Sequence, residues 1–106
     1  MLYVWSGNLK EGREKEYKDW VMKEYIDQMK KQVDPSFKFL GIYGPAMALA
    51  TRDVTEIWQF EKFADLDKVV ESTNPVVNEL MAQSQEFFQP GSCRGHVLRD
   101  VKDWPE

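Results

Sequence analysis

The chain has 106 residues, 42% of them hydrophobic and 13% aromatic, which fits one folded domain over residues 1–106 and is too apolar for a disordered polymer. Fourteen Lys and Arg against eighteen Asp and Glu leave a net charge of −4, which argues against nonspecific nucleic-acid binding, because that needs a basic face to displace counterions. No apolar run approaches the ~20 residues of a membrane helix, Met1 to Ser6 lacks the features of a signal peptide, and the single cysteine, Cys93, excludes an internal disulfide and suits the reducing cytoplasm, the compartment expected for this chain.

Leu2 to Leu9 is rich in β-branched and aromatic types and reads as a first strand. From Glu11 onward Tyr17, Trp20, Val21, Tyr25, Met29 and Val33 recur at steps of three and four, the stripe of one long amphipathic helix. Asp34-Pro35 ends it, since the residue before proline is pushed out of the helical region. Phe37 to Tyr43 reads as a second strand, broken by Gly44-Pro45, and Val54 to Phe60 as a third. Pro45 to Asp53 is too short for a crossover helix with its turns, so these two strands should form an antiparallel hairpin with a long loop.

Phe63, Leu66, Val69 and Val70 mark a short helix. Asn74-Pro75 has the form of an N-cap with proline at the first helical position, and helical spacing continues from Val76 to Phe88 until Pro90-Gly91. Cys93 to Val101 makes a last strand before a polar tail. The order β-α-β-β-α-α-β predicts an α+β split βαβ sandwich: one four-stranded antiparallel sheet in the order 4-1-3-2 with helices on one face.

A sheet with one wet face should alternate cleanly between apolar and polar residues. These strands do not. Leu2 and Val4 oppose Tyr3 and Trp5, Phe37 and Phe39 oppose Leu40 and Ile42, and Ile57 opposes Trp58 and Phe60. Leaving several such side chains wet forgoes several kcal/mol at ~25 cal/mol per Å2. A homodimer packed through the open sheet faces is the expectation.

Two stretches resemble a known family. Asn8-Leu9-Lys10-Glu11-Gly12-Arg13-Glu14-Lys15-Glu16-Tyr17 is similar to the strand, turn and helix start of the dimeric α+β barrel superfamily. Glu56-Ile57-Trp58-Gln59-Phe60-Glu61-Lys62-Phe63-Ala64-Asp65-Leu66 is similar to its third strand running into a short helix. That superfamily includes antibiotic-biosynthesis monooxygenases, heme-degrading monooxygenases, EthD-like and NIPSNAP-like proteins. The resemblance implies a ferredoxin-like fold, a barrel-forming dimer, and a ligand cleft between sheet and helices. In the heme-degrading members an Asn on the first strand, a Trp on the third and a His on the last helix form the site. Asn8 and Trp58 match the first two. Val76 to Phe88 contains no histidine, and the one histidine, His96, falls on the last strand. Heme ligation, and with it any bound cofactor or metal, is therefore not expected.

The candidate site residues are Asn8, Trp58 and His96. Asn8 offers an amide that can hold a substrate oxygen, and it is also an ordinary strand-end turn residue. Trp58 suits the wall of an aromatic-ligand pocket, and also ordinary core. His96 is the side chain that titrates near neutrality and the first choice for acid–base work, though no Asp or Cys partner is evident. Residues 44–52 are long for a hairpin loop and serve either as a binding lid or as a partner contact. Asp53 and Glu56 are candidates to pair with Arg52. Cys93 has only Arg94 beside it to lower its pKa, so a reactive thiol is not expected. Two functional classes remain. One is a monooxygenase-like enzyme acting without a cofactor on a small apolar or aromatic molecule. The other is a non-catalytic dimeric module for ligand binding or assembly. A buried polar group in the cleft favours the first, and a cleft filled by Trp58, Phe87 and Phe88 favours the second.

Overall fold

A computed structural model describes residues 1–45 and 53–105. Of the expected loop at residues 44–52, Ala46 to Arg52 lie outside the described residues. The four strands are β1 (Leu2–Asn8), β2 (Lys38–Tyr43), β3 (Asp53–Gln59) and β4 (Arg94–Leu98). They form one antiparallel sheet in the order β2-β3-β1-β4, the arrangement expected from the sequence. The chain is thus α+β, and β2 and β3 pair as the short connection requires.

The first helical segment is not one continuous α-helix. It runs as α1 (Glu14–Trp20), a π-helical turn (Val21–Tyr25) and α2 (Ile26–Gln32). The Ile26 N–H donates to the Val21 carbonyl, five residues back. The reason lies in the stripe. Its buried members are Tyr17, Val21, Tyr25 and Met29, spaced by four. At 3.6 residues per turn, each step of four drifts by about 40° around the helix. A π turn winds more slowly, so it resets that drift and holds Tyr25 and Met29 against the sheet.

A short 3-10 turn (Phe63–Leu66) leads into α3 (Asp67–Val70), and α4 spans Pro75–Gln85. Asn74 caps α4 as predicted, its side-chain oxygen accepting from the Val76 and Val77 N–H groups at 2.9 and 3.3 Å. The helix stops before Phe87 and Phe88. There the chain turns to run against the end of β1: Leu9 bridges Phe88, and the Lys10 N–H donates to the Phe87 carbonyl at 2.9 Å. Backbone pairing with β1 takes over from helix continuation. β4 likewise ends at Leu98, because its partner β1 begins at Leu2, directly opposite. Val101–Asp103 is a 3-10 turn instead of strand.

The core fills the space between the sheet and the helices. Val54, Trp58 and Phe60 of the third-strand segment meet Tyr17, Val21, Tyr25 and Met29, with Val77 and Leu80 of α4 completing the layer. Each large apolar side chain buried there contributes about 1.5–3 kcal/mol. Residues directly opposite share a face, so Tyr3 and Trp5 lie on the side of Trp58 and Glu56. Leu2, Val4 and Ile57 lie on the other side, which no helix among the described residues covers. On β2 the alternation is interrupted. A bulge between Phe39 and Gly41 brings Ile42 opposite Glu56, onto the same face as Phe39. Simple alternation had placed Phe39 and Ile42 on opposite faces.

Candidate functional site

A narrow cleft opens between the sheet and the helices. Its empty volume, open mouth included, is about 550 Å3. Room for water within it is only about 50 Å3, enough for a few molecules. Tyr3, Trp5 and Trp58 form the sheet side, Tyr25 and Met29 the opposing wall, and Met81 of α4 stands at the rim, partly exposed.

One charged side chain lies in this apolar setting. Glu56 is 6% exposed. Its Oε2 accepts from the Tyr25 hydroxyl at 3.0 Å and from the Trp58 indole N–H at 2.8 Å. Both donors are themselves buried. Local structure aims them: the π turn presents Tyr25, and strand alternation sets Trp58 two residues beyond Glu56 on the same face. Burial pushes the Glu56 carboxyl above its ordinary range, against the opposing pull of the two donated hydrogen bonds. Burial, followed by the Glu56 charge, pushes the Tyr25 hydroxyl up in turn.

Glu56 Oε1 takes part in neither bond. Among the described residues Oε1 has no hydrogen-bond partner, and Glu56 is one of the residues that line the cleft. Ser84 of α4 also lines the cleft, and its hydroxyl makes none of the side-chain hydrogen bonds among the described residues.

Of the three residues singled out from the sequence, only Trp58 lines this cleft. Asn8 and Trp58 do not meet. The register sets Asn8 opposite Asp53, and Trp58 opposite Tyr3, five positions along β1. Asn8 also lies on the uncovered face, near Ser92, which accepts from the Asn8 N–H at 3.1 Å. His96 pairs with Val4 on that same face and is exposed. Glu56 was the residue missed. It faces the helices, and Arg52, its expected partner, lies outside the described residues. The signal was present in the sequence: Val54, Glu56, Trp58 and Phe60 share one strand parity, so a carboxylate stands in a row of core residues. Phe87 and Phe88 do not fill the cleft. They pack against Tyr17, with Phe87 also on Trp20 and Phe88 on Trp5. Burial also pushes the Cys93 thiol up, as expected of an unreactive cysteine.

No protein-family model matches the sequence, and no curated protein matches it. Solved structures do match. A NIPSNAP family protein from Agrobacterium tumefaciens superposes with a TM-score of 0.75 at 12% identity, covering 98% of this chain and 95% of its own. A NIPSNAP domain protein from Burkholderia xenovorans gives 0.75 at 9% identity, over 99% and 98% of the two chains. A protein assigned provisionally as an antibiotic biosynthesis monooxygenase, from Nitrosomonas europaea, gives 0.62 at 9% identity, over 94% and 97%. The chain has the ferredoxin-like α+β fold of these proteins. At such low identities the likeness is one of fold, and a ferredoxin-like sheet supports many unrelated activities. Among the described residues, no helix of this ferredoxin-like protein is long and apolar enough to cross a membrane.

Proposed function

We propose that the protein binds a small, flat, mainly apolar molecule in the cleft between sheet and helices, and that it acts on that molecule as a monooxygenase-like enzyme without a bound cofactor. The observation that carries this is the carboxylate of Glu56, desolvated among aromatic side chains in the lining of the slot, with both of its hydrogen bonds on one oxygen. A module that merely packs its cleft with core side chains has no use for a buried charge, which costs several kcal/mol to desolvate. The fold likeness to the Nitrosomonas europaea protein supports the oxygenase reading. Trp58 supplies the test. Titration with hydroxynaphthoquinones should quench tryptophan fluorescence in the wild type and lose the Trp58 share of that quenching in Trp58→Phe, over a background from Trp5, Trp20 and Trp104. Equal quenching in both proteins, or none in either, would overturn the assignment.

The same proposal extends to assembly. The uncovered sheet face carries Leu2, Val4 and Ile57, with Leu98 opposite Leu2 and 50% exposed. A second copy packed on this face removes them from water, and such interfaces bury more than about 1,200 Å2 in total. Asn8 and His96 lie on the same face, so in the dimer they meet the partner copy instead of the ligand. Light scattering should give twice the 12.5 kDa chain mass, and Ile57→Lys should halve it. A wild-type particle of one chain at micromolar concentration would refute the dimer.

A further inference from the structure

The Glu56 carboxylate is arranged asymmetrically. Both buried donors converge on Oε2, while Oε1 makes no hydrogen bond to the described residues, and Glu56 lines the slot. Among the described residues no cation pairs with it. A carboxylate serving only to tie Tyr25 to Trp58 would gain by satisfying both oxygens, and a neutral side chain of the same shape would make the same two bonds without the cost of a buried charge. Ser84, a largely buried residue, also lines the slot, and its hydroxyl makes no side-chain hydrogen bond to the described residues. The cleft thus offers a proton acceptor and a hydroxyl donor between aromatic walls.

We propose that Glu56 is a catalytic base and that the molecule it acts on is a flat aromatic ketone with an acidic C–H next to its carbonyl group. In this step the α C–H bond breaks and its proton passes to Oε1. The electron pair forms the C=C bond of the enolate, and the carbonyl π pair moves to oxygen, which accepts a hydrogen bond donated by the Ser84 hydroxyl. Return of the proton from Glu56 to carbon completes the cycle. Nothing is oxidised or reduced. A base works best with a pKa near the working pH, and burial moves Glu56 upward in that direction. The other titratable groups facing it are Tyr3 on β1, Tyr17 on α1 and Tyr25 on the π turn, all held neutral by burial.

This inference rests on the cleft being a ligand site, and the experiment separates the two. The probe is 2-tetralone, whose benzylic α protons exchange with D2O and are counted by NMR. Wild type should accelerate exchange over a carboxylate-buffer background. Glu56→Gln should lower the protein-dependent rate at least 100-fold while 2-tetralone still quenches Trp58. Tyr25→Phe removes one donor to the ionised carboxylate, so the midpoint of its pH–rate profile should move upward, a shift that a purely structural Glu56 would not produce. Binding without exchange in the wild type, or exchange that survives in Glu56→Gln, overturns the base and leaves the ligand site intact. Absence of any 2-tetralone binding overturns both.

Discussion

Replacing Glu56 by glutamine should stabilise the protein at neutral pH and leave it unchanged in acid. The amide has the same shape as the carboxylate, and its oxygen can accept from both the Tyr25 hydroxyl and the Trp58 N–H. What is lost is the buried charge. The unfolded chain ionises Glu56 near the ordinary value of 4.5, whereas burial makes the folded protein hold that proton to higher pH. Between the two values the unfolded state binds fewer protons than the folded state, so wild-type stability falls as pH rises, and the loss is complete above the folded pKa. Replacing buried charges by neutral groups of similar volume is worth about 1–4 kcal/mol. The retained hydrogen bonds and the single charge place Glu56→Gln near the lower end, about 1–2 kcal/mol at pH 7. At roughly 4–8 °C per kcal/mol for a domain of about this size, that is a melting-temperature rise of roughly 4–16 °C. Thermal unfolding of both proteins from pH 4 to pH 8 measures it. The difference curve cancels groups common to both, including Asp34, whose hydrogen bonds to Ser36 hold its carboxyl low. A gap that is flat across this range, or a variant less stable at pH 7, would refute the account of Glu56 as a charge whose desolvation outweighs its two hydrogen bonds.

Tyr25→Phe leaves the carboxylate with the Trp58 N–H alone. It should cost about 1.5–3 kcal/mol at pH 7 and less at pH 4, as read by urea unfolding. Gly7→Ala places a methyl group 2.8 Å from the Phe88 ring and 3.1 Å from the Cys93 sulfur. A loss of about 1–3 kcal/mol is expected, partly relieved in the Gly7→Ala/Phe88→Leu double variant. Asn74→Ala removes the α4 cap together with the Asn74 amide bonds to Gln32 that tie α4 to α2. It should cost about 1–2 kcal/mol, with part of the cap contribution returned by Asn74→Ser.

Local chemistry, written in the sequence, determined most of the fold. Asn74-Pro75 starts a helix because an amide oxygen and a fixed φ suit its first turn. The short link between β2 and β3 allows only an antiparallel pair, and period-two runs define strands wherever they occur. From these the sheet order and the side of the helices follow. Trp58 was legible as a cleft wall for the same reason, since its strand parity is that of the core. Tertiary structure decided what parity cannot carry. Alternation fixes which residues of one strand share a face, but not how far that strand slides past its neighbour. Pairing alone set Asn8 opposite Asp53, and placed it and His96 on the uncovered face. Two backbone irregularities redirected side chains that regular periods would have sent elsewhere: the π turn aims Tyr25, and the β2 bulge turns Ile42 inward. Glu56 joins both levels. Its parity marks it as buried, but only the packed helices bring it a hydroxyl from thirty-one residues away, and with it a partner inside the core.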